Sequence, residues 1–371
     1  MIAGVLALTA AVLVVGQMLL YRYCGYKKIT YTREYTPHTV FEGEKVTMTE
    51  RISNAKLLPM PWLRVESMLS PHLHYIAPGR KKGDKEEKDT VYGEHNSVFS
   101  VGAYQTVTRR YQMLCEKRGY YALRAVNITC QDLFGIGEPH TAEAEINAVV
   151  TVYPRIADPE ELGDLSKNLM GDVVVRRWIA EDPFMIRGTR EYTTSDPQSK
   201  INWKASARTG SLMVNENDYT ADIKLQIYFN VQADQYFQSD VDPDAIEAGV
   251  SRVAYILQFA AEHGISAAFA SNSVDSPLGE NRTRFGSGKG HLGEEFTQLA
   301  CLSRQAKTDF ARFLAYETES GLSDCGILII STYIDERIEE QMEALRRNGN
   351  VVAAYLLPRT PGTYSTEGND A

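Results

Sequence analysis

The chain has 371 residues, 43% of them hydrophobic and 23% charged, and a formal net charge of −9. That composition is ordinary for globular protein, and an acidic chain without basic tracts interleaved with aromatics argues against nucleic acid as a ligand. Its five cysteines, Cys24, Cys115, Cys130, Cys301 and Cys325, are scattered and form no C-x-x-C pair, which argues against a disulfide framework and a cysteine zinc site.

The first element is apolar. Ile2 to Leu20 are nineteen residues without a charge, about 28 Å as a helix, close to the thickness of a bilayer's hydrocarbon core. Tyr21, Arg22, Tyr23, Tyr26, Lys27 and Lys28 come next as an aromatic and basic collar suited to the headgroup layer. A cleaved signal would carry basic residues before its apolar core, and none precedes this one. The expectation is a single-pass transmembrane anchor over residues 1–22. The Lys/Arg bias on its C-terminal flank then puts the soluble body on the cytoplasmic face of the cell membrane.

Residues 29–156 alternate with period two. Val46, Met48 and Ile52 form one inward row, and Phe99 with Val101, Val107 with Tyr111 and Met113, and Val126 with Ile128 and Cys130 form others. Turn residues separate the rows, and the pattern predicts an all-β sandwich domain. Residues 80–89 mix both charge signs without an apolar residue and read as a solvated hairpin tip. His72 and His74, two apart, read as surface histidines, no third metal ligand being legible.

Residues 157–220 read as a linker region, with a short helix over 160–170 and a turn at Ser195-Asp196-Pro197. From residue 221 to 358 the spacing predicts an α/β domain: strands at 223–229, 265–270, 327–331 and 351–357, helices from Asp242-Pro243 to His263-Gly264 and over 294–301, 308–316 and 335–347. Residues 359–371 lack apolar periodicity and read as a disordered tail. Residues 285–290 (F-G-S-G-K-G) do not fit a phosphate-binding G-x-x-x-x-G-K-[ST] and read as a flexible loop. No nucleophile elbow, zinc-protease or Cys/His signature is legible, and the pair Glu181-Asp182 has no assignable acid/base role. The chain therefore reads as a non-enzyme without a cofactor.

One segment concentrates Arg, Trp and acids: Arg190, Tyr192 and Asp196, then Trp203, Lys204 and Arg208. Arg and Trp supply rigid planar contact area and dominate interface hot spots, so these residues could form a recognition surface. Alternatively Trp203 is a buried plug, with an arginine paired to Asp196.

R-E-Y-T-T-S-D followed by I-N-W-K-A-S-A-R-T-G resembles the signature of the bacterial domain of unknown function 58 family. Residues 181–192 (E-D-P-F-M-I-R-G-T-R-E-Y), 118–137 and 152–155 are similar to it as well. Ser195 stands where that family carries glycine, and one anchoring helix stands where many members carry two. The resemblance implies a C-terminal domain like von Willebrand factor A, a Rossmannoid α/β fold. It also implies a MoxR-type AAA+ ATPase as protein partner, in assembly or remodelling of envelope proteins. Von Willebrand domains hold a divalent cation through D-x-S-x-S after the first strand. The matching positions here are Asn230, Gln232 and Asp234, a weak set with a single carboxylate. The expected function is a membrane-anchored protein-interaction module. The alternatives are a divalent-metal-dependent, adhesion-type ligand-binding domain and an unrecognised hydrolase.

Overall fold

The computed structural model of the chain describes residues 2–76, 93–135, 137–162, 186–193, 201–217, 224–235 and 242–358. The hairpin tip expected at 80–89, the turn with Asp196, the pair Glu181-Asp182 and the tail at 359–371 lie outside these residues. Contacts divide the chain into two units, Met1–Arg155 and Ile156–Ala371.

In the first unit the uninterrupted apolar run gives helix α1 (Ile2–Cys24), long and apolar enough to cross a membrane. Its last turn is tied to the β-rich part of the same unit. Tyr21 is buried, and its hydroxyl donates to the Pro59 carbonyl at 2.8 Å. The Lys56 ammonium donates to the Cys24 and Lys27 carbonyls at 2.8 and 2.9 Å, and to the Gly25 carbonyl as well. A cation thus sits among carbonyls at and just beyond the helix C-terminus, where the helix dipole favours positive charge.

Among the described residues nine strands come after the helix: β1 (Ile29–Thr36), β2 (Thr39–Phe41), β3 (Lys45–Asn54), β4 (Met60–Met68), β5 (Leu73–Tyr75), β6 (Glu94–Val101), β7 (Thr106–Cys115), β8 (Gly119–Gln131) and β9 (His140–Tyr153). They form two sheets, β1-β3-β7-β5 and β2-β9-β8-β4-β6, antiparallel except for the short β2–β9 pair. The period-two rows meet between the sheets. Ile52 of one packs with Leu63, Val65, Phe99 and Ile128 of the other, all at most 2% exposed. The expected β-sandwich is present, built by inward side chains at every second position.

The second unit opens with a 3-10 turn (Pro159–Leu162), the described part of the helix expected at 160–170. The turn is held to the α/β body, the Arg252 guanidinium donating to the Glu161 carbonyl at 3.3 Å. The stretch read as a linker carries structure of its own. β10 (Ile186–Glu191) pairs antiparallel with β11 (Met213–Asn217), and between them lies α2 (Trp203–Thr209).

β12 (Lys224–Phe229), β13 (Ser266–Ser271), β14 (Gly326–Ser331) and β15 (Val351–Leu356) form a parallel sheet in the order β13-β12-β14-β15. Five of six residues in β12 and all six in β14 are buried, as expected of strands covered on both faces. Helices α3 (Pro243–Glu262), α4 (Gly288–Cys301), α5 (Phe310–Glu319) and α6 (Glu336–Arg347) connect them. Tyr228 packs with Phe310, Leu314 and Ile338 of α5 and α6. Its neighbour Phe229 points to the opposite face. There α3 comes so close that a Cβ on Gly249 would lie 2.7 Å from the Phe229 ring. Asp242 caps α3 by accepting from the Asp244 and Ala245 amides at 3.0 and 3.3 Å, and Pro243 occupies the first turn, as the sequence predicts.

The flexible loop read at 285–290 is in part helix, because α4 begins at Gly288. His291 fastens this turn to β13 through the Ala267 carbonyl at 3.0 Å. Its ring fills the space that a side chain at Gly286 would need, 2.7 Å from a Cβ there. Gly286 thus leaves room for an imidazole, and the packing of His291 offsets the poor helix propensity of Gly288 and Gly290.

Candidate functional site

In an open parallel sheet, ligands favour the crevice at the carboxyl ends of strands where the order reverses. Here that point lies between β12 and β14, and the residues after β12 are Asn230, Val231, Gln232, Ala233 and Asp234. Asn230 is fully buried and Gln232 nearly so.

Their amides are engaged by the protein itself. Asn230 Oδ1 accepts from the Gln232 amide at 2.9 Å and from Asn272 Nδ2 at 3.1 Å. Asn230 Nδ2 donates to Ser331 Oγ at 2.9 Å. Gln232 Oε1 accepts from the Phe310 amide at 2.6 Å and from Asn272 Nδ2 at 3.3 Å, and Asn272 Oδ1 accepts from the Val231 amide at 3.0 Å. The Thr332 hydroxyl donates to the Gln232 and Ala233 carbonyls at 2.8 and 2.9 Å. Asp234 is half-buried in the bend beyond.

This donor set does not fit a divalent cation. The amide oxygens of Asn230, Gln232 and Asn272 each face an N–H donor, whereas a hard cation needs free oxygens and carboxylate charge. Asp309, 3.5 Å from Gln232 Nε2, and Asp335 lie 3.4 and 3.0 Å from the Arg337 guanidinium, and no cluster of three or more His, Cys, Asp or Glu suited to a metal occurs among the described residues. The network is a neutral lock that joins the loops after β12, β13 and β14 and presents a rigid rim.

The signature segment forms a small module in the same unit. Asn202 caps α2 by accepting from the Ala205 amide at 2.9 Å, and its Nδ2 donates to Asn215 of β11 at 2.6 Å. Ser206 Oγ accepts from the Met213 amide at 2.8 Å, and the Tyr192 amide donates to the Leu212 carbonyl at 2.8 Å. Gly210 ends α2 at φ 76°, with its amide on the Ser206 carbonyl, a left-handed cap that favours glycine.

These polar ties leave the large side chains outside. Trp203 is 70% exposed, which rules out the buried plug. Lys204 and Arg208 are also exposed, and no residue of α2 is buried. Lys204 and Arg208, four apart, share a helix face, with Trp203 beside it. Arg190 lies on β10 opposite Val214, its Nη1 3.2 Å from the Glu191 carbonyl. Asp196 is outside the described residues.

A second polar site, which sequence reasoning missed, lies inside the sandwich. Glu50 is fully buried. Its carboxylate accepts from the Tyr31 hydroxyl at 2.5 Å, Arg33 Nη2 at 2.7 Å and Ser97 Oγ at 2.8 Å, and lies 2.9 Å from His95 Nε2. Tyr75 hydrogen-bonds the other imidazole nitrogen. Burial alone would raise the Glu50 pKa. The bond and charge of His95, the Arg33 charge and the Tyr31 bond outweigh it and hold the carboxyl at about 2. A signal was present: Arg33, Glu50, His95 and Ser97 all occupy inward phases of alternating strands, at most 6% exposed. The cluster staples the two sheets together. His74 is 2.8 Å and His72 3.9 Å from Glu116 at the surface.

No family model and no curated protein matches the chain. Among solved structures it is similar to a type I cohesin of Pseudobacteroides cellulosolvens, at 14% identity over 33% of this chain and 91% of that one, with a TM-score of 0.22. It is also similar to the CARDB domain of the PF1109 protein of Pyrococcus furiosus, at 13% identity over 34% and 90%, TM-score 0.22. A non-cellulosomal cohesin of Archaeoglobus fulgidus gives 13% identity over 35% and 94%, TM-score 0.22. At these scores the likenesses carry no argument about function.

Proposed function

We propose that this chain is a membrane-anchored, non-catalytic protein-interaction module of the domain of unknown function 58 type. Its sandwich and von Willebrand factor A-like domains face the cytoplasm, and its partner is a MoxR-type AAA+ ATPase acting on envelope proteins. The observation that carries the reading is the outward face of α2, where Trp203 stands 70% exposed next to Lys204 and Arg208. Exposed Trp and Arg on a rigid element are what binding hot spots are made of. The acidic chain, with a net charge of −9, concentrates two cations beside that tryptophan, which suits an acidic groove on the partner. The strand-end rim adds support, since its groups are locked to one another rather than set out for catalysis.

The test is co-purification of the full chain from detergent extract. Wild type enriches the ATPase. Trp203→Ala weakens the complex by on the order of 2 kcal/mol, about 30-fold in Kd, with the thermal midpoint unchanged because the side chain is exposed. A wild-type chain that never enriches such an ATPase contradicts the proposal.

A further inference from the structure

The sandwich is fixed to α1 at one end, and the loops at that end expose large apolar side chains. Gln17 Nε2 donates to Asp132 Oδ2 at 2.8 Å, and the Gly137 amide donates to Asp132 Oδ1 at 3.3 Å. The side chain of Met18 reaches the same loop, 3.4 Å from where a Cβ on Gly137 would stand. The β8–β9 loop is therefore level with Gln17, two turns before the helix ends. Leu133 and Phe134 of this loop are 51% and 60% exposed. Leu57, in the β3–β4 turn, is 75% exposed and Tyr104, in the β6–β7 turn, 71%. Lys56 holds the β3–β4 turn to the Cys24 carbonyl at 2.8 Å, and the Tyr104 amide donates to the Lys56 carbonyl at 3.1 Å. Three loops thus present large apolar side chains around the foot of one helix.

The place of Gln17 in α1 says what covers them. The stretch of α1 long and apolar enough to cross a membrane runs from Gly4 to Cys24 and contains Gln17. Asp132 gives the Gln17 amide the partner it needs within that stretch. The loop that carries Asp132 goes down with it.

From this we propose that the anchored end of the sandwich is a membrane-docking rim. Leu133 and Phe134 insert into the interfacial layer of the bilayer beside α1, while Leu57 and Tyr104 lie at the headgroups. The occupant of this apolar surface is lipid. The anchor becomes a rigid post that fixes the orientation of the sandwich on the membrane, instead of a tether. This rests on α1 spanning the bilayer, and the test separates the two claims.

An environment-sensitive fluorophore is placed on Leu13→Cys, Phe134→Cys or Lys117→Cys of the full chain. The background carries Cys24→Ser and Cys301→Ser, since Cys115, Cys130 and Cys325 are buried. The protein is reconstituted into phosphatidylethanolamine–phosphatidylglycerol vesicles with nitroxide lipids. Lys117 is exposed at the far end of β8, about 40 Å from Gln131 at the strand rise. The expected result is quenching at Leu13 by deep nitroxides. Phe134 shows a blue shift and loses most of its emission to shallow nitroxides, and Lys117 is unaffected. Quenching at Leu13 with Phe134 like Lys117 overturns the rim and leaves the anchor, the surface then facing water or protein. No quenching at Leu13 overturns both. A label on Leu57→Cys repeats the test from a separate loop if the Phe134 variant does not fold.

Discussion

Two glutamates, one in each unit, are buried to the same degree and behave in opposite ways. Glu50 in the sandwich is 0% exposed and Glu295 in α4 is 1% exposed. Glu50 accepts hydrogen bonds from Tyr31, Arg33 and Ser97, and its carboxyl is held at about 2. Glu295 has His291 Nε2 at 3.3 Å, but that nitrogen makes its hydrogen bond to the Ala267 carbonyl. Burial, with the Glu294 charge adding to it, pushes the Glu295 carboxyl up to about 8. Burial sets the penalty for charge, and partners decide whether the charge survives it.

The sharpest way to break this comparison is to remove each carboxylate. Glu50→Ala leaves the Arg33 guanidinium buried without its counter-ion and costs about 3–5 kcal/mol, measured by urea unfolding of the full chain in detergent. A loss below 1 kcal/mol, on the order of a surface pair, would mean the cluster is solvated. The same site shapes the acid end of the pH profile. A depressed carboxylate contributes stability that is present above its unfolded pKa and lost as pH falls through the folded one. For Glu50 that window runs from 4.5 down to about 2, and the contribution is about 3 kcal/mol. Unfolding midpoints measured across it should fall in wild type and stay flatter in a Glu50→Gln chain, which is destabilised throughout.

Glu295 should show the reverse sign. Its folded state keeps a proton that the unfolded state releases, so its contribution is full below pH 4.5 and is lost as pH rises toward about 8. Glu295→Gln keeps the neutral shape. It should stabilise the chain by about 4 kcal/mol near pH 8 and change little at pH 4. A variant less stable at pH 8 than wild type would show that the carboxylate is ionised and paired.

The smallest effect belongs to the neutral cluster after β12. Adding magnesium should not move the unfolding midpoint, because a cation would first have to break the bonds to Asn230, Gln232 and Asn272. Asn230→Asp removes the donor to Ser331 and should cost about 1–3 kcal/mol. A magnesium-dependent gain in wild type would return the loop to the cation-binding class.

Much of the fold was legible because strands and helices leave different periods. The rows at Val46, Met48 and Ile52 and at Val126 and Ile128 identify inward faces, and Asp242-Pro243 marks the start of α3 within a residue. What escaped was chemistry that breaks its own local rule. Glu50 and Arg33 look like surface residues unless each is read against the phase of its strand and paired across sixteen intervening residues. The first turn of α4 was hidden by Gly288 and Gly290, poor helix formers, and what fastens it is the contact of His291 with β13, which no local window contains. The side on which Trp203 lies was open in the sequence, since an indole suits a core or an interface equally well. The polar ties of Asn202 and Ser206 to β11 decide it, by holding α2 down without its large side chains.

The central claim is that the outward face of α2 grips a protein. A photoreactive group at position 203 of the full chain, activated in intact cells, tests it most directly. The account predicts one dominant adduct containing a MoxR-type ATPase, lost when Lys204 and Arg208 are both changed to Glu. An exposed probe at 203 that yields no protein adduct would contradict it.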